Sequence, residues 1–167
     1  MRYACLLLTF LSLVLPLAAQ AEAPLVRFDG GIGATPAAIA GGVLVINTTR
    51  GAAPGGRPWR IDSLQAEVTV DGRISVDGRG LLLAGGDGIG TTAGQSVRAR
   101  LFCGPVATPT VHQSGLVALE PNGDFRIDDV LQPVPPTTAA TPPDPCTNPA
   151  LLIISGGGAW FAAGIVK

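Results

Sequence analysis

Glycine and proline recur so often in this chain that no long helix fits between them. The 167 residues include 23 glycines and 15 prolines, the two residues that most disfavour a helix interior. Between them lie short runs of alternating apolar and polar residues, a period typical of strands. In the clearest run, 64–70, the apolar residues share one face: Leu64, Ala66, Val68 and Val70. The sequence therefore predicts a half-buried strand here and an all-β fold overall.

Turn signals connect the predicted strands into antiparallel hairpins. Asp71-Gly72 follows the run at 64–70, and a two-residue Asp-Gly turn takes positive φ at both central positions. Asp77-Gly78 interrupts the return strand as either a β-bulge or a second turn, and the short spacing between the two Asp-Gly pairs favours the bulge. Asn122-Gly123, with extended runs on both sides, predicts the best-defined hairpin of the chain.

Further runs bring the expected total to eight or nine short strands. Extended segments are predicted near the start at 25–28 and 43–47, and later at 96–103, 151–154 and 159–166. Short antiparallel strands in this number, separated by Gly/Pro turns, are typical of a single β-sandwich or small barrel. A length near 150 residues suits one domain.

The first 21 residues have the parts of a secretory signal peptide. Arg2 supplies a positive charge, residues 5–19 are almost wholly apolar, and Ala19-Gln20-Ala21 gives a small-x-small cleavage site. The apolar run is shorter than the ~18 residues that a membrane-spanning helix needs. We therefore expect a secreted or periplasmic protein, with 22–167 as one mature domain and no membrane span after cleavage.

The mature domain carries little net charge. Removing Arg2 from the eleven cationic residues leaves ten against twelve acidic ones, so no basic surface of the kind that binds nucleic acid or anionic membrane is expected. Arginine outnumbers lysine ten to one, and Ala, Gly and Pro are abundant. This bias is typical of GC-rich genomes and favours a bacterial source.

Two cysteines, Cys103 and Cys146, remain after signal cleavage. In an exported protein such a pair most simply forms one disulfide, because oxidising compartments preserve the bond. The alternative is a metal or redox pair, but neither C-x-x-C spacing nor a nearby histidine accompanies it. Cys146 lies in a Pro/Thr-rich segment, 132–149, which we expect to be an exposed, polyproline-like loop tethered by the disulfide.

Residues for catalysis are sparse, and the sequence indicates no catalytic site. His112 is the only histidine, and Ser114, two positions along the same strand, is ~7 Å away and beyond direct hydrogen-bond reach. We therefore expect a surface or half-buried strand histidine. The neighbours Asp128 and Asp129 face opposite sides of a strand, so they form no acid/base pair.

Three residues are weak candidates for binding: Trp59, Asp29 and Asp87. Trp59 lies in a loop-like stretch, where an exposed ring would serve as a platform for a sugar or peptide; core packing is the alternative. Asp29 and Asp87 belong to similar pieces, FDGGIG at 28–33 and GDGIG at 86–90, which are either two glycine turns or a paired binding loop. Calcium held by such loop oxygens is the one cofactor alternative, since no His pair or paired C-x-x-C indicates a metal site.

Six pieces of the chain carry a resemblance: FDGGIG, GGRPWRIDSL, VDGRISVDGRGLLLAGGDGIG, VRARLFCG, PNGDFRIDDVL and GGAWFAAGI. In these pieces the chain resembles a group of small exported bacterial β-rich proteins of unassigned function. The resemblance covers the mature chain apart from the Pro-rich insertion, and it implies export. The chain also loosely resembles the CHRD domain, a secreted β module that ends in short sheet-forming segments. The histidine-rich strand of that domain is not reproduced here, so no residue role carries over.

These observations favour a secreted, non-enzymatic β domain with a binding or structural role at the cell envelope or outside the cell. The absence of clustered titratable groups motivates this interpretation. One alternative is a secreted, carboxylate-dependent hydrolase acting on carbohydrate, which needs two facing carboxylates ~5–9 Å apart in a cleft. Another is a self-associating surface protein that pairs through a sheet edge.

Overall fold

A computed structural model describes residues 23–167, so the expected signal peptide and the expected first mature residue, Glu22, lie outside the described residues. No helix occurs in the described range, and none there is long and apolar enough to cross a membrane. The chain forms the following strands: Pro24–Gly33 (β1), Ala37–Ala40 (β2), Val43–Ile46 (β3), Trp59–Arg60 (β4), Ser63–Thr69 (β5), Arg73–Arg79 (β6), Leu82–Leu83 (β7), Ser96–Cys103 (β8), Thr110–Gln113 (β9), Val117–Ala118 (β10), Phe125–Val130 (β11), Gln132–Pro133 (β12), Ala150–Ser155 (β13) and Trp160–Val166 (β14).

Nine antiparallel strands form one sheet that curls into a nearly closed barrel. Their order is β11-β6-β5-β1-β14-β13-β8-β9-β12, and β10 pairs with β8 beside β9. The two ends of the sheet meet because β11 runs directly into β12. At Leu131 the chain leaves its pairing with β6 and begins to pair with β9. The all-β prediction is confirmed, and of the two architectures expected the structure is the barrel.

Alternate strand positions point into the barrel and fill it with apolar side chains. On β5, Leu64, Ala66 and Val68 are buried, whereas Gln65 is exposed on the outer face. The period of two read from the sequence therefore places this strand as predicted.

One stretch of the barrel wall is covered on its outer side as well. β13 is buried from Leu151 to Ser155, as its apolar sequence predicts. Its outward residues Leu152 and Ile154 pack in a second apolar cluster with Trp160, Ala34 and Ala52. The chain after β1 therefore folds back over the wall formed by β8, β13 and β14.

The Asp71-Gly72 turn joins β5 to β6 as predicted, but its geometry differs from the expected one. Among these two residues only Gly72 has positive φ, 85°. The Gly72 N–H donates to the Thr69 C=O at an N···O distance of 3.0 Å. These features match a type I turn followed by one left-handed residue, which requires glycine at a single position.

The bulge predicted at Asp77-Gly78 is wrong. β5 and β6 pair through Gln65↔Asp77 and Leu64↔Gly78 without a register shift. Gly78 has a packing role instead, because the Phe125 ring from β11 lies directly over it. An ideal Cβ at Gly78 would come within 2.2 Å of that ring.

The Asn122-Gly123 turn exists, but the strands on its two sides do not form the predicted hairpin. Gly123 has φ 84°, and the Glu120 N–H donates to the Asp124 C=O at 2.9 Å. Beyond that link, β10 pairs with β8 and β11 pairs with β6. The turn is therefore a corner that carries the chain across the seam where the barrel nearly closes.

The predicted disulfide joins the end of β8 to the Pro/Thr-rich segment. Cys103 and Cys146 have a Cα–Cα distance of 5.0 Å, and Cys103 is buried at the end of β8. We call residues 132–149 the strap. It is mostly exposed, as expected, but it is not a continuous polyproline helix, because it begins with β12 and then makes a turn in which the Thr137 N–H donates to the Val134 C=O.

The strap lies over one end of the barrel. Thr141 and Pro142 lie within 4 Å of the Cβ position at Gly72, in the β5–β6 turn, and Pro142 is buried. The Val111 N–H of β9 donates to the Thr137 hydroxyl at 2.8 Å. The strap therefore contacts both β9 and the β5–β6 turn and closes this end of the barrel.

Candidate functional site

A two-stranded hairpin stands apart from the barrel. We call residues 37–46 the apolar hairpin: β2 and β3 pair from Ala37↔Ile46 to Ala40↔Val43 and, within the described range, pair with no other strand. Every strand residue in it is exposed. An ideal Cβ on either turn glycine, Gly41 or Gly42, meets no atom within 4 Å. The tip therefore projects into solvent.

Local sequence explains why the hairpin forms. Gly41 and Gly42 have φ values of 58° and 80°, and two left-handed residues in succession make the turn whose twist suits antiparallel strands. At the base, the Asn47 N–H donates to the Pro36 C=O at 3.2 Å. The Asn47 C=O accepts from the Trp160 ring N–H at 3.1 Å. The base is thus fixed to the barrel wall while the tip is free.

Both faces of the hairpin are apolar. One face carries Ala37, Ile39, Leu44 and Ile46, and the other carries Ala38, Ala40, Val43 and Val45. Ile39, Leu44 and Ile46 are each about 70% exposed. Val43 and Val45 on the other face are exposed as well, so the hairpin presents five large apolar side chains to solvent.

The chain on both sides of the hairpin is uncharged. Between Asp29 and Arg50 the sequence has no Asp, Glu, Lys or Arg. The sequence predicts a strand at 43–47, whereas β2 and the projection of the pair into solvent were not predicted. Gly-Gly between AAIA and VLVI is the hairpin signal that would have identified it. A half-buried hairpin alternates apolar and polar residues, whereas neither strand of this hairpin contains a polar residue.

A second candidate site is a groove on the outer face of β5, β6 and β11, which is lined mainly by polar residues. Glu67, Ser75 and Asp128 occupy one row across these strands and line an open groove of about 490 Å³. Glu67 and Asp128 are separated by one intervening strand, so their Cα atoms lie ~10 Å apart. Glu67 already accepts a hydrogen bond from the Arg27 guanidinium at 2.5 Å.

Other carboxylates on this face are held in ion pairs by Arg79 of β6 and Arg126 of β11. Asp77 accepts from Arg79 at 2.6 Å and from Arg126 at 3.0 Å. These hydrogen bonds, that from Arg79 first, hold the pKa of Asp77 below its ordinary value. The pKa of Asp124 is also lowered. The main cause is the hydrogen bond from the Gly80 backbone N–H, and the hydrogen bond from the Arg79 side chain adds to it. The four side chains therefore act as electrostatic links across the strand pair.

The three weak binding candidates lie in different settings. Trp59 is a core residue, 5% exposed, and its ring stacks on Phe161 with centroids 4.0 Å apart. It therefore does not present the exposed stacking platform that the sequence left open. Asp29 is exposed on β1, 3.3 Å from the Lys167 ammonium, and Asp87 is exposed in a turn. In the described range, no hydrogen bond or ion pair links these candidates to one another.

The similarity between FDGGIG and GDGIG does not extend to structure. Residues 28–33 belong to β1, whereas residues 86–90 form turns after β7. The two pieces therefore form neither two similar glycine turns nor a pair of similar loops, and ligand binding at Asp29 or Asp87 stays a prediction.

His112 is fully buried, so the surface or half-buried position predicted for it is wrong. Its Nε2 lies 2.9 Å from the Ala139 carbonyl oxygen of the strap, and its Nδ1 has no hydrogen-bond partner in the described residues. Ser114 is engaged separately, since its hydroxyl accepts from the Ala99 N–H and donates to the Gly115 C=O. The geometry links the histidine to strap packing and not to the serine.

The two adjacent aspartates of β11 are exposed. Asp129 accepts the Gly115 N–H at 2.7 Å, which ties β11 to the β9–β10 connection across the barrel seam. Within residues 23–167, no group of three or more His, Cys, Asp and Glu side chains is arranged to hold a metal ion. The calcium alternative stays a prediction.

Comparison with protein families, curated proteins and solved structures found no significant match to this chain. The resemblance to small exported bacterial proteins, and the looser one to the CHRD domain, therefore stay predictions.

Proposed function

We propose that this protein is an exported, non-enzymatic β-barrel module that works by associating with another macromolecule through its apolar hairpin. The observation that carries the proposal is the hairpin itself, exposed on both faces and lacking any polar side chain in its strands. A contiguous, exposed apolar patch commonly marks an interaction surface.

The arrangement of titratable groups supports a binding role over hydrolysis. A glycosidase needs a free acid and a free base facing each other in a cleft. Here the groove that contains Glu67 and Asp128 is open, and Glu67 is bound by Arg27. Asp77 and Asp124 are likewise held by arginines, and these contacts favour their ionised forms.

The disulfide supports the export part of the proposal. Disulfides persist in oxidising compartments and are rare in the cytosol. The Cys103–Cys146 bond also ties the strap to the end of β8, a use of the bond that suits a small domain outside the cell.

Site-specific photo-crosslinking in cells that export the protein tests this proposal. A photo-reactive amino acid at Leu44, on the hairpin, should give crosslinked adducts. The same amino acid at Gln65, exposed on the outer face of β5, is the matched control and should give none. Absence of adducts at position 44, or equal adducts at both positions, would contradict a role for the hairpin as the contact surface.

A further inference from the structure

We infer that the partner is a second copy of this chain, which pairs along the free edge of β3. This inference rests on the proposed function and specifies the partner of the same hairpin. Its structural basis is the set of backbone groups that the hairpin leaves open, together with the composition of the strand that carries them.

The backbone pattern identifies which groups are open. In an antiparallel pair, residues alternate between those that bond to the partner strand and those that direct N–H and C=O outward. The pair next to a two-residue turn is bonded, here Ala40↔Val43, and the Asn47 N–H bond to Pro36 continues the same alternation at the base. Leu44 and Ile46 therefore direct their N–H groups to the free edge of β3.

An added strand satisfies these groups, whereas a lipid surface does not. Unbonded backbone groups are strongly disfavoured within hydrocarbon, so an open two-stranded hairpin is poorly suited to insertion into a bilayer. A strand placed alongside β3 accepts the N–H groups of Leu44 and Ile46 and donates to the Leu44 C=O. This requirement points to strand addition as the mode of contact.

The composition of β3 favours an identical strand as the partner. Val43–Ile46 reads Val-Leu-Val-Ile, which combines high β propensity with no charge and no proline. Exposed edges usually carry a lysine, a proline or a bulge that prevents pairing, and β3 has none of these. Two copies approach without charge repulsion because residues 30–49 contain no charged side chain.

The edge of β2 is less suited to pairing. Pro36 directly precedes β2, and three of its four residues are alanine. Pairing of β3 with β3 of a second copy is antiparallel about a two-fold axis and makes a four-stranded sheet, in which both copies present the same surface. That sheet also relieves the marginal stability of an isolated two-stranded hairpin.

The test compares two proline variants of the mature, disulfide-bonded chain. Leu44→Pro removes an outward N–H from the β3 edge, and Ile39→Pro removes the equivalent N–H from the β2 edge on the same face. Proline is tolerated in an edge strand where its nitrogen faces solvent. Sedimentation equilibrium from about 1 μM to 1 mM should show a dimer for the wild type and Ile39→Pro, and at least tenfold weaker dimerisation for Leu44→Pro.

Several outcomes would overturn the inference. A monomeric wild type over the whole range would do so, and equal weakening by both prolines would exclude the β3 edge. Thermal unfolding checks that each variant keeps the barrel; if either proline disrupts it, Leu44→Lys and Ile39→Lys repeat the comparison at the same positions.

Crosslinking at Leu44 separates this inference from the proposed function. An adduct of twice the chain mass supports pairing of two copies. Adducts of another mass, with a monomeric purified protein, would overturn the second copy as partner while retaining the hairpin as the contact surface. Absence of any adduct would overturn the proposed function itself.

Discussion

Gly78→Ala should destabilise the barrel although it adds only one methyl group. The new Cβ would lie 2.2 Å from two carbons of the Phe125 ring. Ordinary carbon contacts are about 3.5–4.0 Å, so the ring must move by more than 1 Å. Phe125 is 5% exposed and packed in the main core, so this movement displaces other core side chains.

The expected cost follows from overpacking. Extra methyl groups in a well-packed core typically cost about 1–3 kcal/mol. For a domain near 150 residues this corresponds to a melting temperature lower by roughly 3–10 °C. Urea unfolding should show a lower midpoint with an unchanged slope, since the surface exposed on unfolding stays the same.

Gly56→Ala is the matched control. An ideal Cβ at Gly56 meets no atom within 4 Å, and its φ lies outside the left-handed region. It should therefore be neutral or stabilise by about 0.4–1 kcal/mol, because alanine restricts the unfolded chain. In a double-mutant cycle, Phe125→Leu should absorb much of the cost of Gly78→Ala. Equal effects of the two glycine substitutions, or strict additivity with Phe125→Leu, would refute the role assigned to the ring.

Three further predictions concern burial, the disulfide and pH. Val68→Asp places an unpaired charge inside the barrel and should unfold it. Gln65→Asp, on the outer face, should retain the circular dichroism spectrum of the wild type. Equal loss of structure in both variants would mean that both faces of β5 are covered. Thiol titration of the denatured, unreduced mature protein should find no free cysteine, and reducing the Cys103–Cys146 bond should lower stability by ~4 kcal/mol on the loop-entropy argument; unchanged stability would contradict a structural role for the bond. Because the pKa of Asp77 is lower in the folded state than its usual 3.8, its stabilisation is present above that pH and is lost as the pH falls through the folded pKa. The melting temperature of the wild type should therefore fall more steeply below about pH 4 than that of Asp77→Asn, less so at high salt, and parallel curves would count against the ion pairs.

The sequence predicts a strand correctly where burial of one or both faces produces a pattern of apolar residues along that strand. β5, β8 and β13 were predicted because a buried face, or two, leaves a local period. Strand pairing is a long-range property, so the Asn122-Gly123 signal predicts a hairpin although the strands on its two sides pair with other strands. Whether β10 pairs with β11 or with β8 depends on how the whole barrel closes. The need for glycine at position 78 is a similar case, because it comes from the Phe125 ring, 47 positions away along the chain.

The candidate site was the least predictable part. The burial of His112 depends on the strap, whose Ala139 is 27 positions further along the chain, so no local pattern around the histidine indicates it. The apolar hairpin was missed for the opposite reason. Apolar strands are expected to be buried, and only the tertiary structure shows that β2 and β3 pack against no other strand of the described chain.

The strap has a consequence for proteolysis. It is held by β12 at its start and by Cys146 near its end. A protease that cuts the exposed residues between these points would release no fragment, because β13 and β14 stay inserted between β8 and β1 and remain covalently joined through the disulfide. The cut protein would be a two-chain molecule that migrates as one species until the disulfide is reduced. The cut and uncut forms would therefore share one fold.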